Sequence, residues 1–184
     1  MLERVALLLA GCALLPAAAL AQPRPDLEGE DEVGKKQFSE TEFKLPPGSK
    51  PGNLLSFEPS SATRNRIYVD AQSIAVGADG VVRYTLVIRS PSGAENVSFE
   101  GIRCETFEQK IYAYGRRDGT WSPVKTAEWR PIDNNEIDHR HIVLARDYFC
   151  PDNRIVKSPE VAIQRFKYPG PPAGGTRVKV PDLL

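Results

Sequence analysis

The stretch that decides the fold is residues 81–88, Val-Val-Arg-Tyr-Thr-Leu-Val-Ile. Every second side chain in this stretch is apolar, namely Val82, Tyr84, Leu86 and Ile88. The alternate positions include Arg83, Thr85 and Arg89. A period of two with one apolar and one mixed face is typical of a strand that buries one side. The sequence therefore predicts a half-buried strand inside a β-sheet.

The flanking residues supply partner strands for this central one. Residues 67–70 and 74–76 alternate apolar and polar side chains, and Gly77-Ala78-Asp79-Gly80 supplies the residues that a hairpin turn requires. Residues 108–114 predict another strand, which Arg116-Arg117-Asp118-Gly119 turns back toward Trp121. The connections are too short for parallel crossovers, so the strands are expected to be antiparallel.

Residues 96–104 predict a further strand in which the apolar pattern changes phase. Val97 and Phe99 share one parity, whereas Ile102 and Cys104 share the other. Gly101 stands where the phase changes. We expect a β-bulge at Gly101, because one extra residue there would return all four side chains to the same face.

The character of the sequence changes after Trp129. Residues 136–150 follow the capping sequence Asp133-Asn134-Asn135 and predict a helix. Its apolar side chains recur at helical spacing: Ile142, Ala145, Tyr148 and Phe149. Residues 161–168 fit either a helix or an edge strand. Strands first and a helix later predict an α+β domain, an antiparallel β-sheet with a C-terminal helix packed on one face.

Residues 1–21 have the pattern of a signal peptide. A short n-region containing Arg4 precedes an apolar run over residues 5–20, and Ala19 and Ala21 are the small residues that signal peptidase reads. The run is short for a membrane span, and no later segment supplies one. We expect cleavage after Ala21 and no membrane span in the mature chain. The alternative is an outer-membrane lipoprotein acylated at Cys12 of Leu-Ala-Gly-Cys.

After that cleavage, Cys104 and Cys150 are the cysteines of the mature chain. An even number of cysteines in an exported protein predicts a disulfide. Closing a loop of roughly 47 residues would remove about 4 kcal/mol of unfolded-state entropy. The bond would fasten the C-terminal helix to a strand of the sheet.

The predicted domain has a tail at each end. Residues 22–53 are rich in proline and glycine and predict an extended arm, of which residues 38–45 could dock on the domain. Residues 54–168 form the α+β domain, and residues 169–184 predict a flexible tail. The 24 basic and 24 acidic side chains cancel, which argues against nucleic acid as a partner and against membrane binding by charge alone.

Three runs in the domain resemble the cryptic neisserial protein 1-like family: residues 79–85, 93–98 and 100–104. Trp121, Trp129 and the Tyr-Phe-Cys ending at Cys150 extend the similarity. The resemblance implies an exported proteobacterial protein with one fold across the domain, and it implies no particular activity. The order of strands, cysteines and helix is also similar to domains of the surface adhesin E type. That likeness implies an antiparallel sheet with a helix on one side.

The two histidines lie in Asp138-His139-Arg140-His141. On a helix, positions two apart point roughly 200° away from each other, so His139 and His141 would not converge on a metal ion. A zinc site would need further ligands. We therefore predict a solvated helix start, with no metal, no cofactor and no catalytic residue. A set of Ser73, His141 and Asp70 lacks the glycine-flanked serine of a hydrolase elbow.

Aromatic and arginine side chains near the turn at residues 116–119 predict a recognition surface. Tyr112 and Tyr114 share one side of a regular strand, and Arg116 and Arg117 follow at the turn. Such residues are the usual anchors of protein interfaces. The predicted function is a non-enzymatic periplasmic or secreted domain that binds another envelope protein or a cell-wall component. The alternative is a small hydrolase or metal-dependent enzyme that uses His139 and His141.

Overall fold

The computed structural model describes residues 38–59, 63–133 and 139–170. The predicted signal peptide with Ala19 and Ala21, the alternative lipidation site Cys12 and the first part of the arm lie outside the described residues. So do nearly all of the predicted tail and the predicted start of the helix at Glu136.

The described residues form one antiparallel sheet of eight strands. The strands are β1 (Leu54–Phe57), β2 (Arg66–Asp70), β3 (Ala75–Val76), β4 (Val81–Arg89), β5 (Glu95–Arg103), β6 (Glu108–Gly115), β7 (Trp121–Pro123) and β8 (Arg130–Pro131). Their order across the sheet is β1-β2-β4-β5-β6-β7, with β3 also paired to β4 and β8 also paired to β6. The antiparallel sheet predicted from the sequence is confirmed.

Strand β4 is the centre of the sheet, and it is buried on both faces. All seven residues from Val81 to Val87 are buried, so the prediction of a half-buried strand was wrong. Its second face is covered by residues 38–50, the part of the predicted arm to which the name arm refers from here on. Arm side chains such as Phe43 lie directly over Arg83. A strand covered on both sides can carry apolar residues at every position, as Val81, Val82 and Val87 illustrate.

The bulge lies in β6 and not at Gly101. Strand β5 pairs with β4 in an unbroken register, whereas its pairing with β6 shifts between Phe99 and Glu100 and leaves Tyr112 as the extra residue. Ile102 therefore lies on the face opposite to that of Phe99. The apolar side chains of β5 change from one face to the other because helices cover one face and the arm covers the other. Gly101 is needed for another reason: a Cβ there would lie 2.7 Å from the hydroxyl of Tyr112.

Helical segments cover the first face of the sheet. Helix α1 (Arg140–Val143) continues into a π-helical turn (Leu144–Phe149), which ends with the Cys150 amide donating to the carbonyl of Ala145. Helix α2 (Pro159–Lys167) resolves the ambiguous segment as a helix, because proline at its first position favours a helix start. Phe166 of α2 stacks on Tyr148 with ring centroids 4.0 Å apart.

A disulfide joins the sheet to this helical layer. Cys104 follows the end of β5 and Cys150 follows the π-helical turn, with their Cα atoms 5.5 Å apart. Both cysteines are buried in the main core, beside Tyr84, Ile102 and Phe149. The predicted pairing and the helical cover on one face are confirmed. Among the residues that the structure describes, no helix combines the length and the apolar character needed to cross a membrane.

Candidate functional site

A buried carboxylate on β5 organises the interface between the sheet and α1. Glu100 is 2% exposed, and its Oε2 lies 2.8 Å from Nε2 of His141, which is 1% exposed. The hydroxyl of Tyr84 donates to the same oxygen at 3.0 Å. The hydroxyl of Ser98 donates to Oε1. Three polar side chains therefore surround this carboxylate inside an apolar core.

These contacts decide the ionisation of Glu100. Burial by itself raises the pKa of a carboxyl, because it penalises the charged form. Here the charge and the hydrogen bond of His141, the hydrogen bond of Ser98 and the charge of Arg140 outweigh burial, and the pKa of Glu100 is lowered from its ordinary value. The carboxylate is thus charged and satisfied, and it pins α1 to the sheet.

The two histidines do not act together. His141 points into the core toward Glu100, whereas His139 precedes α1 with a left-handed φ of 51°. The prediction of a solvated helix start was therefore wrong for His141. No group of three histidine, cysteine or acidic side chains suited to a metal ion occurs within residues 38–59, 63–133 and 139–170.

Ser73 and Asp70 do not join His141. The hydroxyl of Ser73 donates to the backbone carbonyl of Asp70 and accepts from the amide of Thr85. The carboxylate of Asp70 accepts from the amide of Gln72, so Asp70 is a turn acceptor. The three residues of the hydrolase arrangement have separate structural roles.

The face of the sheet opposite to the helices binds the carboxylate of Glu40, a residue of the arm. Glu40 accepts hydrogen bonds from Nζ of Lys110 at 2.5 Å and from the hydroxyl of Tyr112 at 2.7 Å, and Arg83 lies 3.4 Å away. Burial raises the pKa of Glu40, but these three partners outweigh it, and the pKa is lowered. Burial and the bond to Glu40 raise the pKa of Tyr112, so its hydroxyl stays a donor.

A second ion pair lies under the arm. Arg83 donates to Asp79 at 2.7 Å, and the amide and hydroxyl of Thr41 donate to the same carboxylate. Burial raises the pKa of Asp79, yet the bonds from Arg83 and Thr41 lower it to about 2. The guanidinium of Arg83 also lies 4.7 Å from the ring centroid of Phe43. Arg83 is thus held between an acid and an aromatic ring.

Aromatic contacts hold both ends of the arm. The guanidinium of Arg103 lies 3.8 Å from the ring centroid of Phe38, whose edge also meets Trp129. At the other end, the indole of Trp121 donates to the carbonyl of Pro46 at 2.7 Å. The arm is therefore bound in an extended form through its side chains, the amide of Thr41 and the carbonyl of Pro46.

The structure separates the four residues of the predicted recognition surface. Because Tyr112 occupies the bulge, it faces the arm and is 8% exposed, whereas Tyr114 faces the other way and is 48% exposed. Arg116 and Arg117 are exposed at the turn between β6 and β7, where they line a concavity of about 180 Å³ with Trp121. Of the four predicted residues, only Arg116 and Arg117 line this concavity.

Sequence reasoning missed Glu100, Glu40 and Arg83 as network residues. The signal for Glu100 was its parity with Ile102 and Cys104, since a residue in phase with a disulfide cysteine shares the buried face. The signal for Arg83 was weaker, because an arginine in a strand usually indicates the wet face.

Comparison with known families agrees with this architecture. A family model described as the CNP1-like family matches residues 33–167, which include the docked arm, the whole sheet and both helices. The chain belongs to the CNP1-like family. The match of the CNP1-like family model begins before Phe38, so the arm is part of the family's domain. The family resemblance predicted from the sequence is confirmed.

The chain is also similar to the curated relative "Cryptic neisserial protein 1" of Neisseria gonorrhoeae (strain ATCC 700825 / FA 1090). The two are 28% identical over 120 residues, which cover 57% of this chain and 59% of the relative. This CNP1-like chain therefore spans less than two thirds of the length of that relative. No solved structure matches the chain.

Proposed function

We propose that the protein is an exported, non-enzymatic binding domain of the cell envelope, found in the periplasm or secreted. The disulfide between Cys104 and Cys150 supports export, because such bonds persist in oxidising compartments. The described acid–base pair, Glu100 with His141, is enclosed in the core and serves the packing of α1. Such a pair has no route to a substrate in this conformation.

The observation that carries the proposal is the concavity at the β6–β7 turn. Arg116 and Arg117 are exposed there beside Trp121, and arginine and tryptophan are the residues most often found at the centre of protein interfaces. Arg116 contacts Ser122 at 3.4 Å, a long hydrogen bond that a partner could replace. The partner we propose is another envelope protein or a cell-wall component that presents acidic groups.

The test is site-specific crosslinking in intact cells that produce the protein naturally. A photo-crosslinking amino acid replaces Arg117 in one variant and the exposed Lys157 in the control. We expect adducts of one discrete mass from position 117 only, and loss of these adducts when Arg116→Glu is added. Adducts of equal yield from both positions, or from neither, would refute the proposed surface.

The mass of the mature chain recovered in that experiment tests export. Cleavage after Ala21 would give a chain that begins at Gln22, whereas the lipoprotein alternative would give an acylated Cys12. The other alternative is an enzyme that uses His139 and His141. It gains no support from the geometry, because His141 contacts Glu100 in the core whereas His139 precedes α1.

A further inference from the structure

The end of the sheet that carries the β1–β2 and β4–β5 connections is rich in arginine. Arg66 of β2 lies directly opposite Arg89 of β4, and Arg89 lies directly opposite Glu95 of β5. Like charges at directly opposed strand positions destabilise a sheet, whereas opposite charges stabilise it. The opposed pair of Arg66 and Arg89 therefore lowers the stability of this end of the sheet, and an anion that contacted both side chains would relieve the repulsion.

The acidic residues nearby neutralise only part of this charge. Glu95 forms an ion pair with Arg89, whose guanidinium also lies 5.2 Å from the ring centroid of Tyr68. Within the described part of the chain, neither Arg64 nor Arg66 forms an ion pair. The guanidinium groups of Arg64 and Arg66 are thus exposed and their charges uncompensated. They lie near that of Arg89, which Glu95 and Tyr68 hold in position.

These side chains surround an open concavity of about 500 Å³. Its lining is Arg64, Arg66, Tyr68, Arg89, Ser90, Pro91 and Gly93. This lining contains three cations and no carboxylate. Glu58 lines a neighbouring concavity of about 560 Å³, which shares Arg64 and Arg66. The volume exceeds that of a phosphate ion and would accommodate a phosphate together with the group that carries it.

We propose that this concavity binds a phosphate monoester, with Arg64 and Arg66 as the ligands of the phosphate and Tyr68 against the group that bears it. A phosphate monoester carries a charge close to −2 at neutral pH, which matches the two uncompensated guanidinium groups. Guanidinium groups also bind phosphate oxygens through paired, charge-assisted hydrogen bonds. The ligand sources consistent with this chemistry are free phosphate, a phosphorylated sugar and a lipid headgroup.

The test is calorimetric titration of the full chain with its disulfide formed, in about 0.1 M sodium chloride so that weak long-range attraction is screened. The probes are sodium phosphate, glucose 6-phosphate and vesicles of phosphatidylcholine with phosphatidic acid. We expect the Arg64→Gln/Arg66→Gln variant to bind the favoured probe about tenfold more weakly or worse, because charge-assisted hydrogen bonds are lost. The probe that binds best identifies the source.

A matched variant controls for net charge. Lys125→Gln/Lys157→Gln removes the same charge from exposed positions outside the concavity and is expected to bind like the natural chain. Whichever of sodium phosphate, glucose 6-phosphate and the phosphatidic acid vesicles binds best should raise the thermal midpoint of the natural chain and leave that of Arg64→Gln/Arg66→Gln unchanged. Binding of no probe, or equal loss in both variants, would overturn the site. Neither result bears on crosslinking at position 117.

Discussion

At the scale of single residues, the unusual feature is a charged carboxylate in the middle of the core. Glu100 is tolerated because His141, Tyr84 and Ser98 each give it a hydrogen-bond partner. A buried charge that has lost its partners is far more costly than one that keeps them. The pair therefore fixes where α1 lies on the sheet, since a shift of the helix would separate His141 from Glu100.

Replacing Glu100 by alanine is expected to lower the free energy of unfolding by about 3–5 kcal/mol, because the buried ion pair with His141 would be broken. The matched control is Glu105→Ala, in the turn that follows β5, where the side chain is exposed and we expect a change within about 0.5 kcal/mol. Urea unfolding of the two variants and the natural chain at neutral pH measures this. Equal effects of the two substitutions would contradict the role of Glu100.

The pH dependence of stability follows from the same carboxylate. Its pKa is lower in the folded chain than its ordinary value of 4.5. The stabilisation is therefore fully present above pH 4.5 and is lost as the pH falls through the folded-state pKa. In Glu100→Gln this component is absent, so the acid-side decline in unfolding free energy should be shallower than in the natural chain. An unchanged slope in a urea series from about pH 3 to 7 would contradict this account.

At the scale of elements, the arm behaves as a structural part of the sheet face. It has no regular secondary structure, yet Glu40, Thr41 and Phe43 each contact side chains of the hairpin that contains Asp79 and Arg83. None of the described backbone hydrogen bonds that pair the strands involves the arm, so the arm can detach without unpairing them. The arm should therefore detach at a lower free energy than the sheet unfolds.

Glu40→Ala is expected to lower the free energy of unfolding by about 1–3 kcal/mol, because Lys110 and Tyr112 would lose a half-buried acceptor. Glu42→Ala is the matched control, since Glu42 lies two residues along the same arm and is exposed. Amide exchange at Thr41 should accelerate in the first variant and stay unchanged in the second. Equal exchange in both would mean that Glu40 does not hold the arm.

At the scale of the whole molecule, the sequence predicted what depends on local pattern. The period of two around Tyr84, the pairing of the two late cysteines and the helical spacing of Tyr148 and Phe149 were sufficient for the α+β class. It was harder to predict which faces of the strands are buried. The arm buries the side that carries Arg83, so alternation of apolar and polar residues no longer separates a buried face from an exposed one. The partnership of Glu100 with a histidine 41 residues away depends on tertiary packing alone.

The disulfide is the covalent link between the two layers, so its loss tests the architecture as a whole. Cys104→Ala/Cys150→Ala should lower the free energy of unfolding by about 4 kcal/mol, because the bond between cysteines 46 positions apart no longer restricts the unfolded chain. Guanidinium unfolding measures the change. Dithiothreitol should lower the stability of the natural chain to that of the variant and leave the variant unaffected. If the variant unfolded at the same concentration as the oxidised natural chain, packing of Phe149 and Tyr148 alone would account for the joining of the layers.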